Sequence, residues 1–131
     1  MSIKRLNPDS LHKNPAFTQV AVVDKPAKIV YVGGQNAVNA KGEVVGDDIA
    51  TQSAQAYKNV IAALEAAGAT MADVFKMTIY MVQGQSFAEG YAAIVPLIDR
   101  NVPPPTVSGF MVAGLANPKY LIEIEAVAAI D

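Results

Sequence analysis

The pattern of apolar and polar residues contains one long segment with helical periodicity. Asp47 or Asp48 can cap its start, and Gly68 stands where a C-terminal glycine cap is expected. The apolar positions between them fall near helical spacing and are Ile49, Ala56, Tyr57, Val60, Ile61, Leu64 and Ala67. The pattern predicts a long helix with one apolar face.

Shorter apolar runs predict five β-strands, over residues 17–23, 28–32, 74–82, 107–112 and 121–129. The third run is apolar at nearly every position, which is typical of a strand covered on both faces. In the last run, Ile122 and Ile124 alternate with Glu123 and Glu125, so the glutamates share the opposite face. The short break around Pro26 predicts that the first two strands form a hairpin.

A second, shorter helix is predicted after the capping-box sequence that runs from Ser86 to Glu89. We expect it to reach about Arg100, with Pro96 shortening or kinking it. Residues 1–15 are polar and interrupted by prolines, and we expect an irregular arm there. The order of elements predicts a single α+β domain over residues 1–131, with one mixed β-sheet and two helices packed on one of its faces.

The composition predicts a second buried surface besides the core. Apolar residues make up 52% of the chain and charged residues 17%. A domain of 131 residues has too little interior to bury all of that apolar surface, so we expect an interface between subunits.

Composition also excludes several kinds of function. The chain has no cysteine and a single histidine, His12, so we expect no disulfide, no thiolate nucleophile and no metal site. Its net charge is −2 and its basic residues are scattered, so we expect no nucleic-acid partner. No signal peptide and no membrane-spanning run is present, and we therefore expect a cytoplasmic protein with no membrane partner.

The ordered series of short segments resembles the reactive intermediate deaminase family, called RidA or YjgF. The resemblance rests on AFTQ (16–19), VGGQ (32–35), GEVV (42–45), AQAYKNV (54–60), LEAAG (64–68), VFKMTIY (74–80) and IEIEAVA (122–128). It implies the YjgF (chorismate-mutase-like) fold, assembled as a homotrimer with small-molecule clefts between subunits. It also implies hydrolysis of imines and enamines to oxo acids and ammonia without a cofactor.

The resemblance implies that some of the family's site residues are retained in this chain, among them one glutamate, and that several others are replaced. Glu123 matches the glutamate that positions water, and Gln35 and Ser108 are also retained, as is Gln19. The family's substrate-binding arginine is replaced by Val107, and a valine cannot bind a carboxylate. The remaining departures are Phe17 for a tyrosine, Gly33 for a serine, Tyr91 for an asparagine and Gly109 for a cysteine.

Each of these residues also has a structural interpretation. Glu123 can be a solvated or interface-paired carboxylate, and Ser108 a small strand residue. Gln19 and Gln35 can bond loop backbone. The remaining structural roles are close packing for Gly33 and Gly109, core for Phe17, a helix face for Tyr91 and surface charge for Arg100.

Two functional hypotheses follow, and a third is ranked last. The first is a hydrolase of C–N double bonds with Glu123 as acid/base, for which the missing arginine predicts weak or absent activity on 2-imino acids. The alternative is a non-catalytic trimer that binds a metabolite or a protein partner. The third is the ribonuclease or translation-inhibitor activity attributed to some relatives, which no basic or aromatic-rich feature of the sequence supports.

Overall fold

A computed structural model describes residues 1–131 of the chain. The elements in chain order are β1 (Ser2–Leu6), β2 (Val20–Asp24), β3 (Lys28–Gln35), α1 (Ile49–Ala66), β4 (Val74–Val82), α2 (Phe87–Ile94), β5 (Thr106–Val112) and β6 (Ile122–Ile130). Single 3₁₀ turns precede β4 (Met71–Asp73) and follow α2 (Val95–Leu97).

The main sheet has four strands in the order β3-β6-β4-β5. β4 and β5 are parallel, whereas β6 is antiparallel to both β3 and β4, so the sheet is mixed. The core lies between this sheet and the two helices. Its fully buried members include Val60 and Leu64 of α1, Met81 of β4, and Ile122 and Ile124 of β6. The predicted α+β fold, with two helices on one face of a mixed sheet, is therefore confirmed.

Local sequence signals set both ends of α1. The Asp48 side chain accepts a hydrogen bond from the Thr51 backbone N–H at 2.8 Å and thereby caps the first turn. At the other end Gly68 has φ +76°, a left-handed conformation that glycine adopts without strain. The predicted start and end signals of α1 are both confirmed.

The face of the main sheet that points away from the helices is called the open face below. Along β6, Ile122, Ile124 and Ala126 are buried on the helical side, whereas Glu123 and Glu125 alternate with them and lie on the open face. The predicted alternation is thus confirmed.

Two expectations for the N-terminal third are wrong. Residues 1–15 are not wholly irregular, because Ser2–Leu6 forms β1 and pairs antiparallel with β2. The first two predicted strands do not form a hairpin either, because β2 pairs with β1 while β3 (Lys28–Gln35) pairs with β6. A short break between two strands permits a hairpin, but tertiary packing selected other partners for each strand.

The second helix is shorter than the expected span to Arg100. Ser86 caps it by accepting a hydrogen bond from the Glu89 N–H, and the α-helix ends at Ile94. Pro96 then lies in the 3₁₀ turn, because proline lacks the N–H that a continuing helix would need. The predicted shortening by Pro96 is confirmed.

Large apolar side chains remain exposed on the open face and on the two-stranded sheet. Tyr31 is 80% exposed and Phe110 51%, and Val20, Val22 and Ile29 also face solvent. Only 22 of the 131 residues are buried, which leaves much of the apolar content uncovered within one chain. Neither helix has the length and apolar character that crossing a membrane would require.

The cap of α1 gives a test of the fold. Hydrogen bonds from the Thr51 backbone and hydroxyl lower the pKa of Asp48 below its usual value. We expect Asp48→Ala to lower the melting temperature at pH 7 by about 2–5 °C, measured by circular dichroism. Because the folded-state pKa is depressed, the difference between variant and wild type should be complete above about pH 5 and shrink as pH falls below about 4.

The exposed neighbour provides the control. Asp47→Ala removes the same charge one residue earlier without removing the cap and should leave the melting temperature nearly unchanged. Equal losses in the two variants would contradict the assignment of Asp48 as the cap.

Candidate functional site

The Glu123 carboxylate is held at the end of the sheet where β3 meets β6. The Asn36 side-chain amide donates to the Ile122 carbonyl oxygen at 2.9 Å and to Glu123 Oε1 at 3.3 Å. Asn36 directly follows β3, and Glu123 is the second residue of β6, so two adjacent strands bring the amide and the carboxylate together. Glu123 is half-buried, which leaves part of its carboxylate open to a ligand or to water.

Gly34 supports this carboxylate from the other side. A β-carbon added at Gly34 would lie 2.6 Å from Glu123 Cδ, closer than atoms can approach, so Glu123 can hold this position only beside a glycine. The β3 pairing with β6 is interrupted between Val32 and Gln35, where the two glycines form a bulge. The expected bulge and close approach are confirmed at Gly34. The packing role expected for Gly33 is wrong, because a β-carbon there would meet no atom within 4 Å.

An aromatic and acidic row lies next to Glu123 on the open face. Tyr80 pairs in register with Glu123, donates its hydroxyl to Glu125 Oε1 at 2.9 Å, and stacks on Phe110 with ring centroids 5.9 Å apart. The hydrogen bond to Glu125, followed by burial and the charges of Glu125 and Glu123, raises the pKa of Tyr80. Ser108 belongs to the same face, because it is in register with Thr78, which pairs with Glu125.

Val107 and Gly109 lie on the helical side of the same sheet. Val107 is in register with the buried Met77 and packs against the core as a half-buried side chain. A β-carbon at Gly109 would lie 3.2 Å from the Phe87 ring, so the close packing expected of this glycine is confirmed. β5 therefore directs Val107, at the position where the resemblance predicts an arginine, away from the face that carries Glu123.

Phe17 lies beside the beginning of β5. The Thr18 backbone N–H donates to the Pro105 carbonyl at 2.9 Å, and the Thr18 hydroxyl donates to the Pro104 carbonyl at 2.7 Å. These bonds fix the segment that carries Phe17 against the proline-rich connector. The half-buried Phe17 ring packs edge-on against His12 with centroids 5.7 Å apart.

The two glutamines bond to local backbone, in agreement with their structural interpretation. Gln35 Nε2 donates to the Gly33 carbonyl at 3.1 Å, and Gln19 Nε2 donates to the His12 carbonyl at 2.9 Å. Tyr91 is an exposed residue of α2, on the helical side of the sheet.

One protomer does not gather the predicted residues into a single pocket. A groove of about 660 Å³ between residues 42–47 and 117–121 contains none of them, and neither does a 250 Å³ hollow around Tyr31 and Glu125. No three carboxylate or imidazole side chains converge as metal ligands. Of the two arginines, Arg100 is exposed without an ion pair, and Arg5 Nη2 donates to the Ala72 carbonyl at 3.0 Å.

Sequence reasoning missed Asn36 and Tyr80, which contact the two glutamates of β6. Asn36 directly follows the VGGQ segment, and a polar residue there is a weak signal of a contact across the bulge. Tyr80 alternates with apolar residues along a strand, and nothing in the sequence distinguishes its hydroxyl as a partner of Glu125.

Comparison with known proteins identifies the family of this chain. The sequence model of the family described as Endoribonuclease L-PSP matches residues 9–130. The 2-iminobutanoate/2-iminopropanoate deaminase of Salmonella typhimurium is 35% identical over 102 residues, which cover 76% of this chain and 78% of the relative.

Two solved structures share the fold. The Rid family protein YyfB from Yersinia pestis has a TM-score of 0.88 at 32% identity, covering 99% of this chain and 100% of its own. Escherichia coli TdcF, solved with bound serine, has a TM-score of 0.72 at 31% identity, covering 83% of this chain and 85% of its own. The chain therefore belongs to the Endoribonuclease L-PSP family, the group of RidA and YjgF proteins.

Proposed function

We propose that the chain is one 131-residue domain that assembles as a homotrimer and hydrolyses imine or enamine metabolites in a cleft between subunits. The observation that carries this proposal is the Glu123 carboxylate, held between Gly34 and the Asn36 amide yet partly open. At family level, imine deamination is supported by the relationship to 2-iminobutanoate/2-iminopropanoate deaminases.

The chemistry needs one acid/base group and one water molecule. Glu123 takes a proton from water as the oxygen attacks the carbon of the protonated C=N bond, which gives a neutral carbinolamine. The carboxyl group then gives this proton to nitrogen. As the C–N bond breaks, the carboxylate takes the hydroxyl proton and later releases it to solvent, and the products are an oxo compound and ammonia. The hydrolysis involves no net oxidation or reduction, so it needs no redox cofactor.

Val107 determines which substrates suit this site. A 2-imino acid carries a carboxylate that a bidentate arginine would hold, and a half-buried valine offers neither charge nor donors. With Phe17 and Gly109 also apolar, we propose that the cleft prefers a neutral or more apolar imine. Activity on 2-imino acids is then weak or absent.

A second subunit would bring site residues from opposite sides of the main sheet into one site. Glu123 and Ser108 face one side of the sheet, whereas Val107 and Gly109 face the other, so one protomer cannot surround a small molecule with all of them. The exposed Ile29, Tyr31 and Phe110 make the open face a suitable surface for a second copy. We therefore place the cleft between subunits.

The alternative is a trimer that binds a metabolite or a protein partner without catalysis. The replacement of the arginine position by core-packed Val107 favours it, because loss of a substrate-holding ion pair costs orders of magnitude in rate. Ribonuclease activity remains the least favoured function, because the net charge of −2 supplies no basic surface for a phosphate backbone.

The central prediction concerns imine hydrolysis. An amino-acid oxidase generates 2-imino acids, and semicarbazide traps what remains unhydrolysed. We expect the wild type to hydrolyse 2-imino acids slowly or not at all and to act faster on an imine that lacks a carboxylate. Glu123→Gln should abolish activity on that substrate, because an amide cannot take the proton from water.

The predicted arginine position, Val107, is tested with variants in the same assay. The stem of Val107→Arg can run along the apolar surface while the charged head reaches the strand edge, so this variant should gain activity on 2-imino acids. Val107→Met lengthens the same side chain without adding a charge, so it is the matched control and should gain none. Rapid hydrolysis of 2-imino acids by the wild type would contradict the assigned role of Val107.

The two glycines of the bulge provide a paired test of Glu123. Gly34→Ala forces the flexible Glu123 carboxylate to move, so we expect a loss of about 100-fold in kcat with little change in stability. Gly33→Ala places the same methyl group where it meets no atom of its own chain, so Glu123 stays in place and the variant should lose much less activity. Equal activity of the two variants would exclude Glu123, in its observed position, from the reaction.

The oligomeric state is the third test of this proposal. Light scattering after size-exclusion chromatography should give about 41 kDa, three times the chain mass of 13.8 kDa. Tyr31→Glu puts a charge on the exposed open face and should shift the protein toward the monomer. Ala62→Glu, on the exposed side of α1, should remain trimeric. A monomeric wild type would remove the intersubunit cleft.

A further inference from the structure

A chain of side-chain amides connects α1 to Glu123. Gln55 Nε2 donates to Asn59 Oδ1 at 2.9 Å, and Asn59 Nδ2 donates to the backbone carbonyls of Asn36 at 2.9 Å and Val38 at 2.8 Å. The Asn36 side chain then donates to Glu123 Oε1. The chain passes from the helical layer, around the end of the sheet, to the carboxylate on the open face.

Each bond in this chain restricts the orientation of the next group. Asn59 uses its oxygen and both N–H groups, so its amide can adopt only one orientation. It therefore fixes the backbone of residues 36–38 against α1. The Asn36 amide starts from this fixed backbone, and its bond to the Ile122 carbonyl at 2.9 Å directs its second N–H toward Glu123.

The two oxygens of Glu123 consequently differ. Oε1 accepts the Asn36 amide, whereas Oε2 occupies the space that a side chain at residue 34 would fill and accepts no hydrogen bond from the chain. At 3.3 Å the bond from Asn36 is longer than most N–H···O bonds, so it contributes more to selecting a side-chain orientation than to stability.

We propose that Asn36 is a positioning residue for Glu123: its amide occupies Oε1 and presents Oε2 to the water that attacks the substrate. The catalytic consequence rests on the function proposed above, whereas the orientation of the carboxylate does not. Asn59 supports this role by fixing the backbone from which the Asn36 amide extends.

The test uses two variants with the same chemical change. Asn36→Asp keeps the size and shape of the side chain, removes both N–H donors and adds one negative charge. Asn39→Asp makes the identical change three residues along the same loop. There the side-chain oxygen that accepts from the Lys41 and Glu43 N–H groups is retained, and Glu123 is not contacted.

Crystal structures and steady-state kinetics of both variants and the wild type give independent measurements. We expect Glu123 to leave its wild-type orientation in Asn36→Asp, with kcat reduced about 10–100-fold and KM changed by less than about 3-fold. Asn39→Asp should match the wild type in both measurements. If Asn36→Asp does not fold, Asn36→Ser removes the amide without adding charge and carries the same expectation.

The outcomes separate this proposal from the proposed function. If the wild type hydrolyses no imine, the proposed function fails, and the orientation of Glu123 in the crystals still decides the role of Asn36. An unmoved carboxylate in Asn36→Asp, or equal losses of kcat in Asn36→Asp and Asn39→Asp, would overturn the proposal. A moved carboxylate with a selective loss of kcat supports it.

Discussion

The alternation of side chains along β6 governs both the register of the main sheet and the composition of the core. β6 is hydrogen-bonded to β3 on one side and to β4 on the other, so its register fixes both neighbours. Ile122 and Ile124 enter the core with almost no exposed surface, and burial of such side chains stabilises a fold by about 1.5–3 kcal/mol each. A slip of one residue would place the glutamates of this strand in the core, which is far costlier than any local gain.

The same alternation produces the candidate site. With the isoleucines fixed in the core, Glu123 must point to the open face, where the bulge in β3 brings Gly34 and Asn36 to it. Without the bulge in β3, a side chain of that strand would lie against the Glu123 carboxylate. The single bulge in β3, at Gly33 and Gly34, therefore produces a place at the strand end where one carboxylate is held and partly open.

Family membership and activity rest on different residues in this protein. The fold depends on apolar periodicity and turn glycines, and the chain is 35% identical to the Salmonella typhimurium deaminase over 102 residues. Under the proposed function, recognition of a 2-imino acid would need a cation, and Val107, at the position where the resemblance predicts an arginine, packs against the core. A shared fold therefore does not by itself imply a shared substrate.

Periodicity and caps are local properties, so the amino-acid pattern alone predicted the helices, most of the strands and the face to which Glu123 belongs. The departure from the family at Val107 stays a prediction from the resemblance. The amino-acid pattern did not determine that Ser2–Leu6 is a strand, or that β2 and β3 have different partners, because strand pairing depends on packing between distant segments. Only the tertiary structure placed Asn36 beside Glu123 and put Val107 and Glu123 on opposite sides of the sheet. The contact of Asn36 with Glu123 joins residues 87 positions apart, and no local pattern encodes it.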